Sequence, residues 1–474
     1  MRNLVRSAII LLAIASFAPP ASAQIAAPAP RLGGLPDSGL FTGSVPSGEK
    51  TAQPVTLTLA DAIGRGLEHN LGVITRQEGI EQARSDRWRA MSGVLPNVSG
   101  RLGAEREVIN LAALGFTGFP GIPAIIGPFN VFDARVAVSQ PIVDAAGWQH
   151  LHEASHDLEA ARHSYRNARD LVVVAVTNLY LQALATDSRV AAVRAQVETA
   201  DSLATLADDR RKSGLVPAID SVRAEVQRQM ERQRLVNAQN AAAKQKLALA
   251  RAIGLPLGQD VTLTDPMPYT PSALPALDDA VKEAYANRED LRGQQEALDA
   301  ARAASKAATA AHLPSLHFDA NWGAIGDRVS TAVPTYTIAA NVRVPLFGAG
   351  SEKARSIEAA ATLRRRNAEL EETRAKVYYE VQAALLDVDA ARQQVDLSRR
   401  AVELADQQLV QARDRFEAGV ADTIEVVQAQ EAVATAHDSS VASLYGYNAA
   451  KASLASALGL AEEQMPRFLG ATQQ

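Results

Sequence analysis

Two periods take turns along the chain, and each turn occurs twice. Leu316, Phe318, Ala320 and Trp322 alternate with Ser315, His317, Asp319 and Asn321, and Ile338, Ala340, Val342 and Val344 with Thr337, Ala339, Asn341 and Arg343. Earlier in the chain Val98, Leu102 and Ala104 alternate with Asn97, Arg101 and Glu105. Phe132, Ala134, Val136 and Val138 alternate with Asp133, Arg135, Ala137 and Ser139. Successive side chains of a strand point to opposite faces, so each run predicts a strand of roughly ten residues with one apolar and one polar face. Such runs suit a membrane barrel; a half-buried strand in a soluble sheet carries the same pattern.

The rest of each half follows a helical period. Helix signals begin near Asp61 and Asp278 and stop at Leu95-Pro96 and Leu313-Pro314, because proline disfavours helix in the residue before it. After the second strand of each half the chain runs about 66 residues without Gly or Pro, from Gly147 to Gly214 and from Gly350 to Gly419. At 1.5 Å per residue that is roughly 100 Å of helix. A return helix runs from Ala218 to about Ile253, and from Asp422 to about Leu458. Val381, Val388, Val395, Val402, Leu409 and Phe416 recur every seven residues, with Ala384, Ala391, Ser398, Ala405 and Ala412 three positions later. Val176, Ala183, Val190, Val197 and Ala204 repeat the pattern in the first half. Sustained heptads predict coiled-coil packing, and a rod this long needs other rods beside it.

The halves are copies. At an offset of 218, Leu59-Ala60-Asp61-Ala62-Ile63 falls on Leu277-Asp278-Asp279-Ala280-Val281, and Leu95-Pro96 on Leu313-Pro314. At 204, Pro141-Ile142 falls on Pro345-Leu346; at 205, Gly214 falls on Gly419 and Gly254-Leu255 on Gly459-Leu460. Ordered matches at a nearly constant offset define a tandem duplication. The fall from 218 to 204 gives the first copy 14 extra residues, in a Gly- and Pro-rich loop near 109–129. We therefore divide the chain into an N-terminal signal (1–23), an extended segment (24–56), a first repeat (57–274) and a second repeat with a C-terminal tail (275–474). The link between copies, about 255–275, is rich in proline.

The signal is read from Arg2 and Arg6, an apolar run from Ala8 to Ala18, and Ala21-Ser22-Ala23 before a cut at Gln24. Its loss takes the formal charge from −5 to −7, so no basic excess points to nucleic acid. The 474 residues contain no cysteine, which excludes disulfides, thiolate sites and an acylated N-terminal cysteine. We find no phosphate loop, nucleophile motif or cofactor fingerprint, so an enzyme is not expected and no cofactor is assigned.

Four strands cannot close a barrel, and an open edge is not viable in lipid. Two chains would give eight strands, whose interior fills with side chains; three give twelve and a wider lumen. The duplicated Leu-x-Asp-Ala starts and the Leu-Pro sites before each first strand resemble the outer-membrane efflux protein (TolC-like) family over about 57–460. So do Gln140-Pro141-Ile142-Val143-Asp144, Val344-Pro345-Leu346-Phe347-Gly348, the turns around Gly214 and Gly419, and the closing Ala457-Leu458-Gly459-Leu460. The resemblance implies a mainly α protein with a transmembrane β part. Its homotrimer would place a 12-stranded barrel in the outer membrane, continued by a long α-helical barrel in the periplasm. It further implies an exit duct of a tripartite efflux system exporting small toxic compounds, docked on a periplasmic adaptor and an inner-membrane pump. Alternatives are a type I protein secretion duct, a heavy-metal efflux duct, and a soluble periplasmic coiled-coil scaffold.

On that resemblance Gly214, Leu215, Gly419, Val420 and Phe416 lie at the periplasmic tip, where the tunnel closes and the adaptor docks. Glu425 and Asp220, six residues past each glycine, become candidates for an acidic gate; a carboxylate in a first helical turn is also explained by the helix dipole. Relatives often have tyrosine where Phe416 stands and a second acid where Gln428 stands. Val136, Val138, Phe318 and Val342 are expected to face lipid, with Asp133, Arg135, Asp319 and Arg343 facing the lumen. His152 and His156, four apart and followed by His163, have the spacing of helical metal ligands. A solvated helix start accounts for them equally, and no carboxylate or cysteine set completes a site. The basic run Arg210-Arg211-Lys212 lies beside the tip, within reach of an adaptor.

Overall fold

The computed structural model describes residues 41, 43–115, 123–271, 273–346 and 350–469. The signal at 1–23, most of the extended segment, the heart of the extra loop at 116–122 and Phe347-Gly348 lie outside the described residues.

The repeats are built alike. The first runs β1 (Val55–Leu57), α1 (Leu59–His69), α2 (Leu71–Ser92), β2 (Asn97–Asn110), β3 (Ile125–Val143), α3 (Ala145–Lys212), α4 (Ala218–Ala252). The second runs β4 (Val261–Leu263), α5 (Leu277–Asn287), α6 (Glu289–Ala310), β5 (Ser315–Gly326), β6 (Val333–Arg343), α7 (Ser351–Glu417), α8 (Thr423–Ala457); α9 (Ala461–Leu469) closes the chain. The long rods have 68 and 67 residues and the return helices 35 each.

Three features differ from the sequence expectation. The first helix of each copy is broken in two. At the first break Asn70 ends α1 and caps α2, accepting a hydrogen bond from Gly72 N at 2.8 Å while its amide donates to Phe41 O at 2.6 Å. A buried asparagine that satisfies both segments is cheaper than a continuous helix bent around the same core. Second, the linker is not merely extended: β4 pairs in parallel with β1, Val55 opposite Val261 and Leu57 opposite Leu263. Third, the C-terminal tail contains α9, whose Met465 and Leu469 are fully buried.

Packing follows the heptads. Val381, Val388 and Val395 are at most 2 % exposed, and Ala384, Ser398, Ala405 and Ala412 are buried between them. In the first copy Val176, Ala183, Ala200 and Ala207 do the same. The most apolar part of α3, Val172–Val174, is consumed by a core with Leu57, Leu59, Tyr180, Leu249 and Met465. Among the described residues α3 packs on α1, α2, α4, α6, α8 and α9, whereas α7 packs on α5, α6 and α8.

Candidate channel wall and periplasmic tip

The sheet is the first functional surface. Its order is β2-β3-β5-β6, all antiparallel. Residues directly opposite share a face. Val98 pairs with Val138, Val136 with Trp322, Gln140 with Phe318, Phe318 with Ala340, Leu316 with Val342 and Trp322 with Tyr336. The register therefore collects Val136, Val138, Phe318 and Val342 on one apolar face with Leu102, Trp322 and Ile338. Arg101 opposes Arg135, Ser139 opposes Asp319, and Ser315 opposes Arg343 on the other face. That face is knitted by polar contacts. Arg135 Nε donates to Asp133 at 2.8 Å and its Nη1 to Asn321 at 3.1 Å. Asp319 accepts from Ser139 Oγ at 2.7 Å and Asn341 Nδ2 at 2.9 Å. Among the described residues the outer strands β2 and β6 each have one neighbour, so both edges are open.

The second surface is the pair of helical turns. Gly214 and Gly419 have φ of +72° and +74°, the left-handed conformation in which a Cβ is strained. Leu215 N donates to Arg210 O at 2.9 Å and Val420 N to Arg415 O at 3.0 Å, the six-residue closure that ends a helix. Leu215 and Val420 project outward, 73 % and 67 % exposed. Phe416 does not: it is 2 % exposed, packed with Leu203, Ala207, Ala224 and Val426, and is interior to the tip rather than part of its surface.

Charge is distributed unequally between the turns. Glu425 lies in the first turn of α8, whose start is capped by Asp422 accepting from Glu425 N at 3.2 Å; its carboxylate meets Arg415 Nε at 3.0 Å. Asp220 is buried at the start of α4 and meets Arg223 at 3.3 Å. Arg210 crosses between the copies. Its Nη1 donates to Phe416 O at 2.6 Å, its Nη2 to Glu417 O at 2.7 Å, and its guanidinium sits 4.8 Å from the centre of the Phe416 ring. A cation on the last carbonyls of a helix satisfies orphan acceptors and the negative end of the dipole. Arg211 and Lys212 both turn to Asp208. The basic run is thus engaged within the protein, Arg210 most of all, a role that spacing alone does not reveal.

The histidines are drawn apart by separate carboxylates. His156 Nδ1 meets Glu296 at 2.7 Å, His163 Nδ1 meets Glu289 at 2.5 Å, and His150 meets Glu153 at 3.0 Å. His152 is exposed. His156 and His163 are seven apart on α3, as Glu296 and Glu289 are on antiparallel α6, so they form two rungs joining the copies. Near them Asp170 accepts from Glu462 N at 3.0 Å at the start of α9, and burial lifts its carboxyl to about 6.

This architecture defines a class: long antiparallel rods continued by an amphipathic sheet with open edges. The profile of the family described as "Outer membrane efflux protein" matches residues 77–255 and 280–460, one segment in each repeat. The chain belongs to that family of outer-membrane ducts. It is 24% identical over 379 residues to the pyoverdine export outer membrane protein OpmQ of Pseudomonas aeruginosa, covering 76% of each chain. Its fold is similar to that of the outer-membrane channel OprN (TM-score 0.75, 19% identity, 85% of this chain and 89% of that one). It is also similar to the outer membrane protein VceC of Vibrio cholerae (TM-score 0.75, 17% identity, 85% and 96%).

Proposed function

We propose that three copies of this outer-membrane efflux protein close a 12-stranded barrel and a helical tunnel below it, forming the exit duct of a tripartite pump. The observation that carries this reading is the sheet: two open edges flank a surface whose faces are cleanly divided. Open backbone edges are not viable in lipid, so β6 of one copy pairs with β2 of the next. The helices support the same closure. Along α7, Tyr379, Leu386, Leu397 and Leu404 form one stripe that is 65–68 % exposed. Along α4, Ile219, Val226 and Leu247 are exposed at multiples of seven residues. Stripes of this kind on flanking rods match neighbouring rods of the next copy.

In this assembly Val136, Val138, Phe318 and Val342 face lipid, and Asp133, Arg135, Asp319 and Arg343 line a water-filled path. Leu215 and Val420, with the turns at Gly214 and Gly419, meet the periplasmic adaptor, which joins the duct to an inner-membrane pump. Glu425 of three copies rings the mouth. The duct performs no bond-making chemistry; transport energy comes from the pump. The likeness to a pyoverdine export protein favours a small-molecule cargo over a secreted protein.

Light scattering of the mature protein in detergent tests the stoichiometry: a trimer is expected, and a folded monomer overturns the reading. Val342→Arg tests the faces. A cation near the lipid midplane costs about 2–4 kcal/mol, so this variant is expected to fail to assemble while Arg343→Val assembles; the opposite result reverses the faces.

A further inference from the structure

The two hairpins of one chain, α3/α4 and α7/α8, are tied together at intervals, and in each tie the arginine belongs to the first hairpin. Arg189 of α3 makes a two-pronged pair with Asp438 of α8, Nε to Oδ1 at 2.9 Å and Nη2 to Oδ2 at 2.8 Å. Seven residues nearer the tip on α8, Glu431 accepts from Nη2 of Arg234, on α4, at 2.9 Å. At the tip Arg210 of α3 holds the last carbonyls of α7. Shared cores lie at both ends of this seam. Ala452 and Ala455 of α8 join the core of Val173 and Val176 on α3. Phe416 of α7 and Val426 of α8 join that of Leu203, Ala207 and Ala224. An exposed ion pair is worth little alone. Placed between two buried cores, it only has to hold a seam that is already closed at both ends.

The duplication gives each tie a counterpart. In a closed ring of three duplicated chains the hairpins alternate, so where α3 and α4 meet α8 within a chain, α7 and α8 meet α4 of the next copy. At the offset of 205, Arg189 and Asp438 correspond to Gln394 and Gln233, and Arg234 and Glu431 to Ser439 and Val226. All four counterparts are exposed in the single chain. Two glutamines carry no charge, and a valine offers a serine no partner. Arg210 corresponds to Arg415, which is spent on Glu425 of its own hairpin at 3.0 Å. The three ties therefore exist within a chain and have no equivalent between chains.

We propose that the two hairpins of each chain move as one rigid unit and that the tunnel opens along the three seams between copies, where α7 meets α4 of the next chain. This rests on the trimeric duct proposed above. At the counterpart positions the seam between copies offers only apolar and neutral side chains, beside the exposed stripes of Leu386 and Leu397 on α7 and Val226 and Leu247 on α4. Apolar contact is non-directional, so rods joined by it slide and part gradually. Parting the seam within a chain breaks charge-assisted bonds and uncovers both cores, which costs more. A tunnel that is nearly six-fold in backbone thus widens with three-fold symmetry.

The chain contains no cysteine, so introduced pairs can be joined selectively with a short bismaleimide. Arg189→Cys with Asp438→Cys replaces a tie within a chain by a covalent one, and Gln394→Cys with Gln233→Cys joins neighbours at the equivalent place. In planar bilayers the first link should leave the open probability of the full-length mature protein as it was before linking, while the second should hold the tunnel shut. Gln394→Arg with Gln233→Asp transplants the tie without a linker. It should lower the open probability roughly tenfold at low salt, the joint worth of three exposed pairs. Opening should recover near 1 M salt, where screening acts within about 3 Å. The proposal is overturned if the link within a chain closes the duct as strongly as the link between chains, or if neither the link between chains nor the transplanted pair changes opening. Its failure is distinct from failure of the duct: monomers by light scattering refute the duct and this inference with it. Trimers in which the Gln394→Cys and Gln233→Cys pair never joins two chains on a denaturing gel keep the duct and refute only the placement of the seam.

Discussion

The two tips share a backbone and differ in chemistry. Both long rods end in a left-handed glycine with the same six-residue closure, and both return helices have 35 residues. At the duplication offset Arg210 corresponds to Arg415, Asp220 to Glu425, Pro217 to Asp422, Arg211 to Phe416 and Arg223 to Gln428. In the first copy Arg223 holds Asp220, and Arg210 reaches the other hairpin. In the second copy Gln428 carries no charge, so Arg415 stays at home with Glu425. One exchanged partner thus converts a pair within one hairpin into a clamp between hairpins. Duplication supplied the shape, and later divergence of single side chains divided the labour: the α3 tip grips, and the α7/α8 tip is gripped and keeps a half-buried acid.

The sharpest way to break this comparison is at the gripped side. Phe416→Ala removes the buried ring that both tips share, and comparable truncations cost about 3–5 kcal/mol. Faster amide exchange should follow in both turns, read by hydrogen-exchange mass spectrometry, while the counterpart Arg211→Ala leaves exchange unchanged. Equal effects would show that the tips do not share a core. Next comes the clamp. Arg210→Ala removes two bonds from a charged donor, each worth about 1.5–3 kcal/mol, whereas Arg415→Ala removes an exposed pair worth about 0–1 kcal/mol. Exchange at the C-terminal end of α7 should rise for the first and barely move for the second; the reverse order would place the grip in the wrong copy.

A smaller difference concerns the caps. Asp422→Ala should destabilise the start of α8 by about 1 kcal/mol, while Pro217→Ala, at a cap with no side-chain bond, leaves α4 nearly as it is. Local exchange at residues 423–426 checks this. Glu425→Gln has the least effect on stability but tests the proposed gate. Cation selectivity and block by divalent cations from the periplasmic side should weaken in planar bilayers, and the difference should shrink near 1 M salt, where screening acts within about 3 Å. Glu417→Gln, an exposed control with the same loss of charge, and Asp220→Asn, already buried, should leave both properties unchanged. If Glu425→Gln behaves like these controls, its carboxylate serves only its own helix turn.

Much of this architecture was legible from periodicity. Strands and rods declare themselves because a two-residue and a seven-residue repeat can each bury one face in only one way, and the ends of the rods coincide with Gly214 and Gly419 because few residues adopt positive φ. The duplication then located every counterpart. What the sequence by itself left open are choices among equivalent partners. Nothing in the spacing says that Arg210 prefers the carbonyls of Phe416 and Glu417 to a nearby carboxylate, that His156 and His163 find Glu296 and Glu289 on α6, or that Val55–Leu57 pairs with Val261–Leu263. The break at Asn70 was hidden for a similar reason, since a capping side chain in mid-helix reads as one more polar position until a core on one side makes the bend worthwhile; the break at Arg288 has no side-chain cap at all. Local rules act over one or two turns, and the sequence states them directly. Ion pairs, the burial of Gln430 and Glu231 and the order of strands depend on which surfaces meet across distant parts of the chain, and only the tertiary structure decides that, because burial sets which polar group must be satisfied and by whom.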